Sequence, residues 1–528
     1  MFKILVIRLG AIGDVILTTP ALINLKLAFP QGKITFLTRE HIAPLARTFI
    51  GADEVVEFPR QGTPLQLFHM AEMLDRDTFD LIIDLHGNFR SWYLSKHLAA
   101  ARKVRYQKRR WERYAAVRRG KGKRIIEPAP HTIDLYNAAI REIGGKIYAS
   151  RPAINRKTLP DCPPLFSESR VTVAVAPGAS YPTKKWPPER FDALINKVYN
   201  ELNANLILIL SGEDGDSIKT GESLSRERIK SFVNADLTEL ASVLSTTDLL
   251  ISNDSALAHL GSAVGTPVLA IFGPTHPTLG FYPRGLKDMI IQVDEYCRPC
   301  SLHGRRPCFR DRQYCFTRIS VDNVFEQVAH LLTSNARGEK ALFIDRDGTL
   351  IKEKEFLSNP GEIEPEDKAV EAIKNARAAG FKIIVISNQS GVARGYFSES
   401  TVAEINRRLL SLFAGRGAPI DDMLYCPHLP EGIIAEYAID CDCRKPAPGM
   451  IEQACRKHNL NPFHSFVIGD KLTDNDLAAV VGARGILVRT GYGREEEAKL
   501  KNPHLIKPEL IVNTLFDAVE YILKNQKR

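Results

Sequence analysis

Short apolar runs that end in glycine, serine or acidic residues recur along this chain. They predict strands at residues 2–8, 33–37, 54–58, 80–85, 171–176, 206–210, 249–252, 268–272, 341–344, 382–386 and near 466–469. The segments between them predict helices, among them 15–28, 256–264, 321–332, 367–379 and 508–525. Strands that alternate with helices indicate parallel sheets, so we expect an α/β protein.

Two passages divide these elements into domains. A proline-rich stretch at 158–164 and a polar stretch at 333–340 have the composition of connections. A chain of 528 residues is long enough for about three domains. We therefore expect domains at 1–160, 165–333 and 341–495, a linker at 334–340 and a helical tail at 496–528.

The composition is that of a soluble globular protein. Hydrophobic residues make up 44% of the sequence and charged residues 25%, and no apolar run approaches the roughly 20 residues that span a bilayer. The segment Met1–Arg8 has too short an apolar part for a signal peptide. We expect a cytoplasmic protein without a transmembrane segment. Its nine cysteines then favour metal sites or isolated thiols over disulfides.

Much of the net charge of +9 lies in one segment. Twelve Lys or Arg residues and one acid, Glu112, lie between Arg102 and Arg124, with Tyr106, Trp111 and Tyr114 among them. Such a segment suits anionic lipid head groups, a phosphorylated glycolipid or nucleic acid, and it equally suits a solvated helix face. Because no nucleic-acid-binding motif accompanies it, we expect no nucleic-acid partner and favour a membrane surface or a phosphorylated acceptor.

Small and polar residues follow the strands of the first two domains. Glycines 10 and 13 lie after the first strand, and Asp14 begins the next helix, where the helix dipole alone would favour an acid. In the second domain, Ser255 is expected to cap a helix whose amides suit a phosphate. Lys184 or Lys185 suits a leaving diphosphate. Several polar strand ends in one sheet favour a nucleotide site.

The third domain opens with a buried strand that ends in Asp345-Arg-Asp347-Gly-Thr349. Two carboxylates placed together beyond a strand repel each other unless a cation lies between them. Oxygen ligands of this kind suit Mg²⁺, and Asp470 follows a later strand with a further acid. The sequence therefore predicts a magnesium site at this edge of the sheet.

Two groups of cysteines have the composition of zinc ligands. Cys426, His428, Cys441 and Cys443 form a C-x-H…C-x-C arrangement that suits a closed structural Zn²⁺ site. The second group has one C-x-x-C pair and irregular later spacings, so a second Zn²⁺ and a reduced loop-ordering cluster both stay open; its members are Cys297, Cys300, Cys308 and Cys315.

Over about residues 1–335, the chain resembles the lipopolysaccharide heptosyltransferases (glycosyltransferase family nine). The motifs are 8–15, 177–187, 253–259 and 272–275. The resemblance implies two Rossmann-like domains of GT-B type and inverting transfer of heptose from ADP-heptose to the inner core, without a required metal. It implies that Asp14 is the base for the acceptor hydroxyl and that Lys184 lies near the donor phosphates. It places three residues in the ADP-sugar motif: Asp254, Ser255 and His259.

The third domain has four features in this order: D-x-D-G-T, a serine at a strand end (Ser387), a lysine before a helix (Lys445) and G-D-x-x-x-D. In these features and their order, it resembles the haloacid dehalogenase superfamily of phosphatases. This implies that Asp345 attacks phosphorus and that Asp347 acts as acid and then base. It also implies that Asp345, the carbonyl of Asp347 and Asp470 hold Mg²⁺. The phosphoryl group would be held by Thr349, Ser387 and Lys445.

The zinc loop and the segment 387–397 narrow this resemblance to the D-glycero-D-manno-heptose-1,7-bisphosphate 7-phosphatases, over about residues 340–495. Histidinol-phosphate phosphatases share the zinc loop and much of the motif. The usual Thr is replaced by Ser387, which keeps the hydroxyl. The substrate contacts implied are Asn388, Gln389, Arg444 and Lys471.

Both resemblances point to heptose. We therefore expect a bifunctional enzyme of lipopolysaccharide core assembly that uses ADP-heptose, heptose bisphosphate and a lipid A core acceptor, and that is peripheral at the inner face of the inner membrane. The alternatives are a histidinol-phosphatase-like half fused to a transferase for another sugar, or a half that serves as a non-catalytic docking module.

Overall fold

The computed structural model describes residues 1–119, 128–212, 218, 224–225 and 227–526. The chain divides into two compact units, Met1–Arg337 and Gly338–Arg528. The residues 120–127, which complete the basic segment noted above, lie outside the described part. Within that part, no helix is long and apolar enough to cross a membrane.

The first unit contains two parallel sheets. The strands of the first sheet follow the order β3-β2-β1-β4-β5 and are β1 (Lys3–Ile7), β2 (Lys33–Arg39), β3 (Glu54–Phe58), β4 (Phe79–Asp84) and β5 (Ala100–Arg105). The strands of the second sheet follow the order β11-β10-β9-β6-β7-β8 and are β6 (Thr172–Ala176), β7 (Asn205–Leu210), β8 (Ile229–Val233), β9 (Leu249–Asn253), β10 (Val268–Ile271) and β11 (Met289–Ile291).

Helices cover the faces of these sheets, and the central strands are therefore apolar on both sides. Strand β7 shows this directly, because all six of its residues are buried. The helices of the unit are Ile12–Ile16, Thr19–Ala28, Ala43–Ala46, Pro64–Asp75, Phe89–His97, Arg110–Arg119, Thr132–Glu142, Pro188–Glu201, Leu237–Ser245, Ala256–Val264, Tyr314–Thr317 and Val321–Thr333.

The second unit is built on one parallel sheet of order β14-β13-β12-β15-β16-β17. Its strands are β12 (Ala341–Ile344), β13 (Lys382–Asn388), β14 (Asp422–Cys426), β15 (Phe466–Gly469), β16 (Arg484–Val488) and β17 (Leu510–Val512). Its helices are Ala369–Ala378, Glu399–Gly415, Gly449–His458, Leu472–Val481, Gly493–Lys499 and Leu515–Gln526. The prediction of an α/β protein with Rossmann-like parallel sheets is confirmed.

The prediction of one helix at 15–28 is wrong in one respect, because the segment forms two helices, Ile12–Ile16 and Thr19–Ala28. Pro20 stands in the first turn of the second helix. A proline has no N–H for a bond to the preceding turn, so it cannot continue a helix but fits the start of one.

The helix predicted at 508–525 begins later, at Leu515. The residues before it form β17, which pairs with β16 through Ile486 and Leu510. The helix then buries Leu515, Ala518 and Val519 in the core of the second unit. The C-terminal segment therefore supplies an edge strand to the sheet of the second unit and a helix that packs in the core of that unit.

Candidate active sites

The candidate transferase base, Asp14, lies in helix Ile12–Ile16 beyond the end of β1. Its Oδ2 is 2.5 Å from Nη2 of Arg8, a buried residue. Nη1 of Arg8 donates to the carbonyl oxygen of Leu85 at 2.8 Å. The Asp14 carboxylate is thus oriented by a fixed guanidinium while its side chain stays partly exposed. A carboxylate in this setting is able to receive a proton from an acceptor bound in the solvent-facing space.

Two of the predicted nucleotide-sugar residues form an ion pair. Nζ of Lys184 is 2.6 Å from Oδ2 of Asp254. The same oxygen accepts a hydrogen bond from the Thr275 hydroxyl at 2.7 Å. Asp254 therefore holds the ammonium of Lys184 at the carboxyl ends of β9 and β10, where a phosphate would meet it.

The helix that carries Asp14, Ile12–Ile16, packs against the nucleotide-motif helix Ala256–Val264. An added Cβ at Gly13 would lie 2.8 Å from Cδ2 of His259, so only glycine permits this approach. Burial lowers the pKa of His259, and its Nδ1 has no hydrogen-bond partner within the described residues. The predicted base and the predicted nucleotide motif are thus brought side by side.

Ser255 departs from its prediction as a helix cap. It occupies the N-cap position, but its side chain makes no capping hydrogen bond. Its hydroxyl instead lies 3.0 Å from that of Ser252. The Ser255 side chain is directed toward the hydroxyl of Ser252. It therefore does not cap the first amides of the helix.

In the second unit, three buried carboxylates converge at the carboxyl edge of the sheet. Asp345 follows β12, Asp470 follows β15, and Asp474 lies one helical turn further on. One oxygen of each lies within 4.8 Å of the others. Lys445 forms ion pairs with Asp345 and, at 2.6 Å, with Asp474. Asp474 was noted in the sequence only as part of a motif, and the structure makes it a full member of this group.

The electrostatics of this three-aspartate group favour a cation. Burial raises the pKa of Asp345 to about 7 despite Lys445, with Asp474 and Asp347 adding to the rise. Burial and the charge of Asp345 raise the pKa of Asp470 to about 8. Oδ1 of Asp470 is buried and has no hydrogen-bond partner among the described residues. Clustered carboxylates with an unpaired oxygen fit a divalent ion with oxygen ligands.

The side chain of Asp347 is not part of that group. Its Oδ2 accepts hydrogen bonds from Nη2 of Arg346 and from Nε2 of Gln389, each at 2.8 Å. The atom of Asp347 predicted to bind Mg²⁺ is its backbone carbonyl oxygen, and that role stays a prediction. Arg346 was missed by sequence reasoning. The sequence signal was a cation beside the end of a buried strand. In the structure Arg346 is buried, and its Nη1 also donates to the side-chain oxygen of Asn406 at 3.2 Å.

The predicted phosphate-binding residues surround Asp347 and Lys445. The hydroxyl of Ser387 accepts from Gln389 at 2.7 Å. Asn388 accepts from the backbone N–H of Lys445 at 3.0 Å, so its amide positions that lysine. Thr349 is fully buried, and its hydroxyl has no partner within the described part of the chain.

The cysteine-histidine loop forms a compact ligand set. The sulfur of Cys443 lies 3.1 Å from that of Cys426 and 3.4 Å from that of Cys441, and 3.3 Å from Nδ1 of His428. Zn–S bonds of about 2.3 Å in a tetrahedral shell would place two sulfurs about 3.8 Å apart, which is close to these separations. The sulfurs lie somewhat closer together than this, so the four ligand atoms are gathered for one zinc-sized ion that small outward shifts would admit.

Two further cations predicted to contact the substrate, Arg444 and Lys471, have different neighbours. Nη1 of Arg444 donates to the carbonyl oxygen of His428 at 3.1 Å, so the ligand loop orients it. Nζ of Lys471 lies 4.4 Å from the ring centroid of Tyr492. The charges of Asp470 and Asp345 raise the pKa of Lys471, although burial alone would lower it. Both cations stay predicted substrate contacts.

The second cysteine group does not form a ligand set. All four thiols belong to described residues, yet no three of them gather with their sulfurs within 4.8 Å of one another. The buried guanidinium of Arg298 lies among them and bonds the carbonyl oxygen of Thr275 at 2.8 Å. The charge of Arg298 acts to lower the pKa of the thiols of Cys300 and Cys315, although burial raises both. A second Zn²⁺ and a reduced loop-ordering cluster at Cys297, Cys300, Cys308 and Cys315 therefore both stay predictions.

Comparison with known proteins assigns the two units separately. The family model for glycosyltransferase family 9 (heptosyltransferase) matches residues 67–306. The models for HAD-hydrolase-like proteins and for polynucleotide kinase 3 phosphatase match residues 442–518 and 340–477. A family 9 glycosyltransferase structure from Veillonella parvula covers 63% of this chain and 98% of its own at 21% identity and a TM-score of 0.52, which shows a shared fold.

Curated relatives match the second unit over most of their length. The D-glycero-beta-D-manno-heptose-1,7-bisphosphate 7-phosphatase of Pasteurella multocida is 38% identical over 172 residues, 32% of this chain and 92% of the relative. The corresponding alpha-anomer enzyme of Photorhabdus laumondii is 39% identical over 158 residues, 30% of this chain and 86% of the relative. The chain therefore belongs, through its second unit, to the D-glycero-D-manno-heptose-1,7-bisphosphate 7-phosphatases, and its first unit carries a glycosyltransferase family 9 domain.

Proposed function

We propose that this chain is a bifunctional enzyme of lipopolysaccharide core biosynthesis. The second unit hydrolyses the 7-phosphate of D-glycero-D-manno-heptose 1,7-bisphosphate, and the first unit transfers heptose from ADP-heptose to an inner-core acceptor. The observation that carries the phosphatase assignment is the group of Asp345, Asp470, Asp474 and Lys445, which lies within residues 340–477, the range matched by the phosphatase family model.

In the phosphatase, the carboxylate of Asp345 attacks phosphorus, and the bond between phosphorus and the sugar oxygen breaks. Asp347 gives a proton to the departing sugar oxygen. Water then attacks the aspartyl-phosphate while Asp347 takes its proton, and inorganic phosphate leaves. Lys445 and the hydroxyl of Ser387 hold the phosphoryl oxygens.

Two metal ions complete this unit. Asp345, the carbonyl of Asp347 and Asp470 would hold Mg²⁺, and the unpaired Oδ1 of Asp470 supports that assignment. When bound, Mg²⁺ supplies neutralisation of phosphoryl charge. The cysteine-histidine loop would hold a structural Zn²⁺ that keeps Arg444 and Lys445 in place.

In the transferase, Asp14 takes the proton of the acceptor hydroxyl, whose oxygen attacks the anomeric carbon of heptose. The bond between that carbon and the diphosphate breaks with inversion. Lys184, released from Asp254, neutralises the departing diphosphate. His259, which is neutral and buried, lines this space.

The acceptor is a phosphorylated lipid A core molecule. The exposed cations of β5 and of the connection after it, among them Arg102, Arg109 and Arg110, suit its phosphate groups. An acceptor with a lipid anchor places the reaction at a membrane surface and makes the enzyme peripheral there.

The first experiment measures phosphate release by the full chain with Mg²⁺. Heptose 1,7-bisphosphate, as each anomer, is compared with histidinol phosphate. We expect a strong preference for the heptose substrate that disappears in Asp345→Asn. A preference for histidinol phosphate would overturn the assignment, and transfer would then have to be tested with other nucleotide sugars.

A further inference from the structure

Three large apolar side chains are exposed at the first turns of three helices in the first unit. Leu65, Phe89 and Trp111 are 64%, 71% and 87% exposed. Their helices follow β3, β4 and β5, strands of one parallel sheet. The first turns of such helices all lie at the carboxyl edge of the sheet. The three side chains therefore project from the same edge.

Two further apolar residues enlarge this group on the next helical turns. Phe68 and Trp92 are also exposed, and the rings of Phe89 and Trp92 lie 5.7 Å apart. The helix that carries Phe89 is bonded to the turn before the helix that carries Leu65, because Arg90 donates to the carbonyl oxygen of Gly62 at 3.2 Å. We call Leu65, Phe68, Phe89, Trp92 and Trp111 the apolar edge. Soluble monomers rarely expose such groups unless another surface covers them.

Cations flank the apolar edge. Arg60, Arg105, Arg109 and Arg110 are exposed between the ends of β3 and β5 and the starts of the helices that follow. The acids beside them are each bonded to one of these arginines: Asp84 lies 3.3 Å from Arg105, Glu112 lies 3.3 Å from Arg109, and Glu40 accepts from the backbone N–H of Arg60 at 3.1 Å. The acids of helix Pro64–Asp75, Glu72 and Asp75, stand at its opposite end. The edge is therefore apolar at its tips and positive around them.

The apolar edge adjoins the candidate transferase base. Arg8 pairs with Asp14 and also bonds Leu85 at 2.8 Å, just before the helix that carries Phe89. The same guanidinium lies 3.5 Å from the hydroxyl of Tyr106, which follows β5. The Asp14 carboxylate thus belongs to the same sheet edge as the exposed tips.

We infer that the apolar edge is a docking surface for an anionic phospholipid bilayer. Trp and Phe settle at the boundary between head groups and acyl chains, and Arg residues are attracted to anionic head groups. A nucleic acid would use the cations and would stack bases on the aromatic rings, but it offers no apolar partner to Leu65, which a bilayer would bury. This inference rests on the proposed transfer to a lipid-anchored acceptor, because docking at this edge brings Asp14 to a sugar held at the membrane.

The test is sedimentation of the full chain with vesicles. Vesicles of phosphatidylglycerol and phosphatidylethanolamine are compared with vesicles of phosphatidylcholine. We expect binding to the anionic vesicles that falls by about tenfold or more in Phe89→Ala/Trp111→Ala. The matched control is Tyr296→Ala, an aromatic residue that is 61% exposed elsewhere in the first unit. Equal binding by the double variant, or no vesicle binding with retention on RNA, would overturn the inference.

Tryptophan fluorescence reports which surface enters the bilayer. The chain has three tryptophans, of which Trp92 and Trp111 belong to the apolar edge while Trp186 is 1% exposed. Brominated lipids in the anionic vesicles should quench the wild type and leave Trp92→Phe/Trp111→Phe almost unquenched. Equal quenching of that variant would mean that another face meets the membrane.

Transfer to a soluble core oligosaccharide without lipid separates this inference from the proposed function. Phe89→Ala/Trp111→Ala should transfer heptose to that acceptor at the wild-type rate. If the wild type transfers nothing, the proposed transferase activity fails whatever the vesicles show. If transfer is normal and vesicle binding is absent, only the docking surface fails.

Discussion

Lys445 shows how much of the phosphatase site depends on one side chain. Its ammonium lies between the carboxylates of Asp345 and Asp474, and it also donates to the carbonyl oxygen of Ile386 at 3.2 Å. All of these groups are buried. The same cation therefore has two functions, since it balances buried charge in the resting protein and is placed to meet a phosphoryl oxygen.

Replacement of Lys445 by Met should impair stability as well as activity. Two buried carboxylates would lose their counter-charge, and breaking such a pair costs about 3–5 kcal/mol. Hydrogen exchange in the strands of the second unit would measure the loss, and phosphate release should vanish. Asp474→Asn added to Lys445→Met should restore part of the stability but no activity. Unchanged hydrogen exchange in Lys445→Met would contradict the role assigned here.

The pKa values of Asp345 and Asp470 predict how Mg²⁺ stabilises the protein at different pH. Burial raises both pKa values, to about 7 for Asp345, where the charges of Asp474 and Asp347 add to the rise, and to about 8 for Asp470, where the charge of Asp345 adds to it. The folded metal-free protein therefore binds more protons than the unfolded chain, and its stability falls as the pH rises through this range. Bound Mg²⁺ replaces those protons, so its stabilising effect should grow between about pH 6 and about pH 8.

Thermal unfolding with and without Mg²⁺ across that range checks this prediction. The difference in Tm between the two conditions should increase with pH in the wild type. Asp470→Asn is the control, because it removes one of the two carboxyl groups and should reduce both the shift and its pH dependence. A shift that is the same at every pH would show that protons and the metal do not compete.

At the scale of elements, the cysteine-histidine loop connects β14 to helix Gly449–His458 and leads into two cations of the proposed site. Cys441 and Cys443 stand directly before Arg444, whose guanidinium bonds the carbonyl oxygen of His428. On the other side, Asn388 at the end of β13 bonds the backbone of Lys445 at both its N–H and its carbonyl. The loop is therefore tied to the sheet at the residue that serves the phosphoryl group.

Loss of a zinc ligand should therefore stop phosphate release without affecting the first unit. Cys441→Ser is expected to lower the metal content by about one zinc per chain, since four ligands form a closed site. Elemental analysis and phosphate release with excess Mg²⁺ measure the two effects. Cys162→Ser, in the first unit and away from any ligand set, should change neither. Full activity in a zinc-free variant would disprove the positioning role of the loop.

At the scale of the whole molecule, the chain joins two units that each have their own core and their own site. The cores are separate sets of buried residues, and each sheet carries its candidate catalytic groups at its carboxyl edge. No proposed catalytic residue of one unit is needed by the reaction of the other.

The two activities should therefore be lost independently. In the full chain, Asp14→Ala is expected to reduce heptose transfer by about 10²–10⁴-fold, the usual value of a general base, and to leave phosphate release intact. Asp345→Asn should do the reverse. Both variants are assayed for both reactions. Unchanged transfer in Asp14→Ala would remove Asp14 from the base role, while loss of both activities in either variant would argue against independent units.

Most of the strands that sequence patterns missed lie at sheet edges. Strands β5, β8, β11, β14 and β17 were not predicted and are edge strands, while β16, also not predicted, lies between β15 and β17. An edge strand has one neighbour and partly solvated side chains, so its apolar pattern is weak, as in the Ala100–Arg105 sequence AARKVR. Strand β16 begins with Arg484-Gly485 and has a short apolar run, whereas the other central strands are visible as apolar runs.

The sequence by itself determined the fold class, both families and the main catalytic candidates, because buried parallel strands and their polar ends leave local patterns such as 341–349. Only the tertiary structure decided which polar groups meet. It joined Asp474 to Asp345 through Lys445, bonded Asp347 to Arg346, and placed Arg298 beside the thiols of Cys297, Cys300 and Cys315. The physical reason is distance along the chain. These partners are brought together by sheet order and helix packing, and no local pattern records which strand ends will be neighbours.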